Sequence, residues 1–204
     1  MILQSSQKDI ASHKVEVFSQ SFCFAHLPED KLNEIASLAT FCHFKKGEFI
    51  FQQGETLRFF YIVKEGRVKL FRQSVVGKNL IHGVLGRGES LHLTALFDDA
   101  PCWASAQTMS AVTILRISRE EFLSFAAKNP SVAMNFVCIL GKQARRAYGR
   151  LTNMAVDRAD KRLAEILYML SSKFGTTLYF TAEEVADFTG TTIETTFRVM
   201  RKLK

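Results

Sequence analysis

The densest chemistry in the chain lies in its last segment, Thr192-Ile193-Glu194-Thr195-Thr196-Phe197-Arg198-Val199-Met200-Arg201-Lys202-Leu203-Lys204. Glu194 and Arg198 stand four residues apart, so on a helix they share one face, one turn from each other. A carboxylate there accepts from a cytosine N4 amino group, and a guanidinium forks onto O6 and N7 of a guanine. Ile193 and Phe197 flank the pair and offer apolar contact to thymine methyls. Short polar residues at the start, Thr192 and Thr196, let a helix N-terminus approach phosphates closely. Arg201, Lys202 and Lys204 are expected to face phosphates further along. The competing reading is a surface ion pair between Glu194 and Arg198 on an ordinary helical hairpin.

The residues upstream favour the first reading. Thr181-Ala182-Glu183-Glu184 is an N-cap followed by an acidic first turn. Val185, Ala186 and Phe188 give a helix of about two turns an apolar face. Thr189-Gly190-Thr191 is a tight turn with Gly where a positive φ costs least. A helix, a Gly-containing turn and a Thr/Arg-rich second helix form the helix-turn-helix pattern. Charge agrees. The 204-residue chain carries a net +7, and Gly141–Lys204 holds 12 Lys/Arg against 7 Asp/Glu, so five of those seven charges sit in the last third. A polyanionic partner suits such a balance.

Catalytic patterns are absent from the sequence. No Ser/His/Asp or Cys/His arrangement and no phosphate-binding Gly loop stands out, and His43, His82 and His92 do not form a cupin-type metal set. Cys23, Cys42, Cys102 and Cys138 are scattered, without zinc-ligand spacing, and read as small buried hydrophobes in a reducing compartment. No run approaches about 18 apolar residues, and Met1–Val17 is too polar for a signal peptide. A cytoplasmic protein is expected.

The 18 Phe lie largely in the first 125 residues, which suits a β-rich front half. Short helices are expected over Ser21–Ala39. From Thr40 the period changes to aromatic and β-branched strands punctuated by Gly47, Gly54 and Gly66, then Asn79–Leu85, Ser90–Phe97 and Ala111–Ile117. This spacing predicts a small β-barrel or jelly roll. Ser118-Arg119-Glu120-Glu121 is a capping box, and Asn129-Pro130 opens a second helix. Along it Ala133, Val137, Leu140, Ala144, Ala147, Leu151 and Met154 recur in alternating steps of four and three, an a/d seam. The seam predicts a two-stranded coiled coil between protomers, with an internal core stripe as the alternative. Leu163, Ile166, Leu167 and Leu170 mark a further helix over Asp157–Ser172, and Leu178-Tyr179-Phe180 reads as a short strand.

Barrel, heptad helix and helix-turn-helix in that order resemble the Crp/Fnr superfamily, of the catabolite activator protein and fumarate-nitrate regulator type, over Ser21–Lys204. The resemblance rests on Lys46-Gly47-Glu48-Phe49-Ile50-Phe51-Gln52-Gln53-Gly54-Glu55, on Phe60-Tyr61-Ile62-Val63-Lys64-Glu65-Gly66-Arg67-Val68-Lys69-Leu70, and on Glu183–Asp187 with Glu194–Arg198. It implies an α+β fold with a cyclic-nucleotide-binding-type barrel (a double-stranded jelly roll) over residues 1–128. A dimerisation helix over 129–155 and a helix-turn-helix domain over 156–204 follow. Family members continue past the second helix into a β-hairpin wing, so the sequence is expected to be either truncated at Lys204 or the ordered part of a longer chain. The resemblance also implies a homodimer on inverted-repeat double-stranded DNA, with RNA polymerase as a further partner.

Two departures concern the sensor. The family's nucleotide pocket uses a Gly-Glu pair for the ribose and an Arg-Ser pair for the cyclic phosphate, and here His92-Leu93 and Cys102-Trp103 stand in those places. A buried phosphate without its Arg is an unpaired charge, so a cyclic nucleotide in the usual mode is not expected. The iron–sulfur branch needs an N-terminal cysteine cluster, and only Cys23 lies there. His92 falls in the stretch from which the carbon-monoxide-sensing branch supplies a haem iron ligand, and Phe-rich walls suit a porphyrin. A plain core or surface histidine is the competing reading. Trp103 is read as a packed core residue or as a lid over an organic ligand, and Cys102 as a redox switch in last place. From another class altogether, the chain could be a ligand-binding signalling module whose C-terminal helices dock a protein partner.

Overall fold

The computed structural model describes residues 2–91 and 93–202. The chain divides into two compact units, one of residues 1–70 and 84–142, the other of 71–83 and 143–204. The first opens with α1 (Ile2–Ser19), which the polar composition of that stretch concealed. Val17 and Phe18 near its end are buried, and Glu16 pairs with Arg87 at 2.7 Å. A single 3-10 turn, Phe22–Phe24, and α2 (Glu29–Leu38) follow as expected.

Eight strands come next: β1 (Thr40–Phe44), β2 (Phe49–Phe51), β3 (Phe59–Glu65), β4 (Val68–Gln73), β5 (Asn79–Leu85), β6 (Ser90–Leu91), β7 (Ser105–Thr108) and β8 (Val112–Ser118). They form two four-stranded sheets, ordered β1-β8-β3-β6 and β2-β7-β4-β5, the expected jelly-roll sandwich. β3 runs antiparallel to β8, with Phe60 opposite Ile117 and Ile62 opposite Leu115, and all four side chains are buried. At the β3–β4 turn Gly66 has φ +90°, and a Cβ there would lie 2.3 Å from the Ala111 carbonyl oxygen, so only glycine fits.

The expected strand Ser90–Phe97 ends after two residues. Leu93, Ala95 and Leu96 are all buried, a pattern that a half-buried strand cannot satisfy, and Thr94–Phe97 forms a helical turn, α3. The expected strand Leu178–Phe180 is a loop instead, and Phe180 packs against the helical core beside it.

α4 (Arg119–Lys128) starts at the predicted cap, where the Ser118 hydroxyl accepts from the Glu121 amide. Its Phe122 stacks on Phe60 with ring centroids 4.4 Å apart and meets Phe136 edge-on at 5.3 Å. Phe136 belongs to α5 (Pro130–Val156), a 27-residue helix about 40 Å long. Val132 and Phe136 face inward, and Asn135 donates from Nδ2 to the carbonyls of Cys23 and Ala25. Among the described residues no single helix is long and apolar enough to cross a membrane.

The second unit holds α6 (Ala159–Phe174), α7 (Ala182–Thr189) and α8 (Ile193–Lys202) around Leu163, Val185 and Val199. It also takes in the β4–β5 turn, where Val75 and Val76 are fully open to solvent or nearly so.

Candidate nucleic-acid interface and sensor segment

The recognition helix is set by the turn before it. Thr181 and Glu184 close a reciprocal capping box at the start of α7. The helix stops at Gly190, which is left-handed at φ 64°, ψ 39°, and the Thr191 amide then bonds back to the Ala186 carbonyl at 3.1 Å. Two arginines hold the end of α7. Arg162 donates to the Thr189 carbonyl at 3.2 Å. Arg150 donates to the Phe188 carbonyl at 2.9 Å, to His82 O at 2.9 Å and to Ile81 O at 3.1 Å, and its guanidinium stands over the Phe188 ring. Burial lowers the Arg150 pKa, yet main-chain carbonyls rather than a carboxylate satisfy the cation. Neither arginine was legible as structural from spacing, because the partners of Arg150 lie 38 to 69 residues away.

α8 presents its expected outer face. Ile193, Glu194, Phe197, Arg198, Arg201 and Lys202 are exposed together. Thr192 is exposed too, but its hydroxyl serves as the N-cap, accepting from the Thr195 amide at 3.2 Å. Thr196 is a correction. It is 0% exposed, on the inward face with Val199, and cannot touch a nucleic acid. A step of three residues puts Thr196 and Val199 on one side, and Val199 packs against the apolar side of α7 and α6. Lys204 lies outside the described residues.

One cation was missed. Arg158 at the N-cap of α6 lines a cleft of about 530 Å³ with Asp160, Thr195, Arg198 and Lys202. The cleft thus joins three cationic side chains to the amide end of α6, a setting that suits a phosphate oxygen. Arg158 is forty residues from Arg198, and nothing in the local sequence links them.

On α5 the predicted seam faces outward. Ala133, Val137, Ala144, Ala147, Leu151 and Met154 are exposed and Leu140 is half-buried, with Val137 at 59% and Leu151 at 68%. The inward stripe of the same helix is a different set, led by Val132 and Phe136, so the seam is not an internal core stripe within this chain.

The sensor segment is apolar and acidic. His92, the expected haem ligand, lies outside the described residues. Leu93 is buried. Cys102 is buried as well. Its amide donates to Glu55 O at 2.8 Å, its carbonyl accepts from Gly54 N at 2.7 Å, and burial pushes its thiol up to about 11. A thiol so raised is a poor redox switch. Trp103 is not a packed core residue, being 40% exposed, while Cys102 and Ala104 on either side are buried. From Leu93 to Ser105 the charged side chains are Asp98 and Asp99 alone, and Asp99 pairs with Arg119. The cysteines are all free, but only Cys23 and Cys102 are buried. Cys138 is exposed, against expectation. No group of three or more His, Cys, Asp or Glu among the described residues is placed to hold a metal.

Comparison with known proteins agrees with this layout. The family pattern described as "Cyclic nucleotide-binding domain" matches residues 41–129. The Cyclic AMP receptor protein of Thermus thermophilus is 30% identical over 161 residues, covering 78% of this chain and 74% of that protein. Transcriptional activator protein Anr of Pseudomonas protegens is 26% identical over 168 residues, 78% and 68% of the two chains. Among solved structures, the c-di-GMP responsive regulator CLP of Xanthomonas campestris shares the fold with a TM-score of 0.76 at 18% identity, over 86% of this chain and 91% of that one. Sandwich, long helix and helix-turn-helix in one chain, with a relative this similar across three quarters of its length, place the protein in the CRP/FNR family of transcriptional regulators.

Proposed function

We propose that the protein is a sequence-specific DNA-binding regulator that works as a homodimer through α5 and reads an inverted repeat with α8. It is not an enzyme, and it acts in the cytoplasm with RNA polymerase as its further partner. One observation carries this reading: a single face of α8 exposes Ile193, Glu194, Phe197, Arg198, Arg201 and Lys202, while Thr196 and Val199 hold the helix down from behind. A helix fastened in this way offers a carboxylate and a guanidinium to base edges and two further cations, Arg201 and Lys202, to phosphates. The apolar outer seam of α5 supports pairing with a second copy, since a coiled coil is what buries such a stripe.

The effector we assign to the barrel domain is not a cyclic nucleotide. Cys102 and Trp103 offer no cation to a cyclic phosphate, and the side chain at Leu93 makes no hydrogen bond to a ribose. Calorimetry with cyclic AMP or cyclic GMP is expected to give no binding tighter than about millimolar.

Binding-site selection with the protein tests the DNA reading. Recovered sites should be palindromic, with half-site centres roughly 34 Å apart. Arg198→Ala should cost about 1–3 kcal/mol at one G·C pair and relax preference there. Lys202→Ala should weaken all sequences alike and flatten the salt dependence. Sites without dyad symmetry, or base preference untouched by Arg198→Ala, would remove α8 as the reader.

A further inference from the structure

A second recess lies in the sandwich, lined by the stretch between β2 and β3 and by the two strands themselves. It holds about 370 Å³, at the small end of ligand sites, and none of its lining residues belongs to the sensor segment. Three aromatic rings wall it. Tyr61 stacks on Phe51 with centroids 6.1 Å apart and tilts against Phe59 at 6.0 Å. Glu55 and Arg58 supply one charge of each sign at its edge.

The polar groups around the recess are unspent. Tyr61 is only 8% exposed, and among the described residues its hydroxyl has no hydrogen-bond partner. The hydroxyl is not sealed from solvent, so it can exchange a water for an acceptor on a ligand. Burial pushes it up to about 12, against the pull of the Arg116 guanidinium, so it keeps its proton at any physiological pH. Arg58 lends only its main-chain carbonyl, to the Arg119 amide at 2.9 Å, and its guanidinium forms no ion pair among the described residues. The Glu55 carboxylate accepts one bond, from the Gln52 amide, through Oε2. The two charges share the recess without neutralising each other.

We infer that this recess binds a small zwitterion of the α-amino-acid type with an aromatic or branched apolar side chain. The ammonium group goes to Glu55 and the carboxylate to Arg58 and the Tyr61 hydroxyl, with the side chain against Phe51 and Phe59. A bare carboxylate would meet Glu55 and a bare amine would meet Arg58, so opposite charges in one small molecule fit best. The walls are wired to the rest of the sensory unit. The Glu55 carbonyl accepts from the Cys102 amide, and the Arg58 carbonyl holds Arg119, whose Nε caps Leu96 O at 2.9 Å. A ligand drawing Glu55 and Arg58 together would therefore pull on both ends of the segment 96–102. Use of the site as the regulator's effector site rests on the proposed function, whereas occupancy of the recess does not.

Calorimetry on the whole chain separates the two. L-Phenylalanine and L-leucine are the probes, with 3-phenylpropanoate and phenethylamine each lacking one charge. At least one amino acid should bind saturably, and both single-charge analogues should bind at least about tenfold more weakly. Tyr61→Phe keeps the ring packing, and Arg58→Gln changes an exposed residue, so both variants should fold. Each should weaken the amino acid about tenfold or more while leaving ligand-free operator binding unchanged. No saturable binding of either amino acid up to about 10 mM would overturn the site, as would equal binding by both variants or by 3-phenylpropanoate. Failure of palindrome selection alongside normal amino-acid binding would remove the DNA reading and leave the recess standing.

Discussion

Replacing Thr196 by Val should make the protein more stable without changing how it reads DNA. The Thr196 side chain is wholly buried, and its Oγ1 has no hydrogen-bond partner. The main-chain carbonyl one turn back, of Thr192, already receives the Thr196 amide at 2.9 Å. A buried hydroxyl left unsatisfied costs about 1–3 kcal/mol. Val removes that cost, puts a methyl in the same place beside Val199, and has nearly the same helix propensity. A gain of about 1–2 kcal/mol is expected, at the lower end because the neighbours are fitted to an oxygen. Thr196→Ser retains the hydroxyl and loses a methyl, so it should cost about 1 kcal/mol. Guanidinium denaturation followed by far-ultraviolet circular dichroism measures both, as a shift in midpoint at constant slope. Selected sites for Thr196→Val should match those of the parent protein. A midpoint that fell, or a base preference that moved, would show that the hydroxyl faces outward and that the packing argument for α8 is wrong.

Three other outcomes follow from the same structure. Arg150→Ala strips a charged donor from the carbonyls of Ile81, His82 and Phe188 and should destabilise the helical unit by about 2–4 kcal/mol, read as lost hydrogen-exchange protection at the end of α7, with Arg150→Lys restoring only part. Lys at both Leu140 and Leu151 should convert dimers to monomers in sedimentation, because like charges would meet across the seam. Burial, helped by Arg150 and Arg72, lowers the His82 pKa from 6.5 to about 4. The neutral ring therefore contributes full stability above pH ~6.5, and up to about 2–3 kcal/mol is lost as pH falls from there toward 4, a slope that His82→Gln should flatten.

Much of this architecture was written in local patterns. Thr181 and Glu184, Gly190, and Ser118 with Glu121 marked helix ends because capping depends on residues three or four apart. The outward seam of α5 was legible for the same reason. β7 was not, since Ser105-Ala106-Gln107-Thr108 has no alternation, and it is a strand because β2 and β4 lie on either side of it. Thr196 was misjudged by residue type, because Thr at the start of a reading helix suits a phosphate equally well whichever way it points. The neighbouring Val199 in the three-residue step held the correct answer. Arg158 and Arg150 were out of reach because folding brings their partners from distant segments, and the recess beside Tyr61 depends on β2 and β3 closing around a loop that reads as an ordinary turn.

The exposed position of Trp103 has a practical consequence. It is the only tryptophan in the chain, and its indole is partly in water. Selective excitation of tryptophan therefore reports on one place without any label. That place is next to Cys102, whose backbone is tied to Gly54 and Glu55 at the edge of the Tyr61 recess. Emission colour and access to a collisional quencher should respond to whatever fills the barrel domain, while operator binding at α8 contributes no tryptophan signal of its own. The protein carries its own optical gauge of sensor occupancy, and it can be read in the same cuvette as a fluorescently labelled operator.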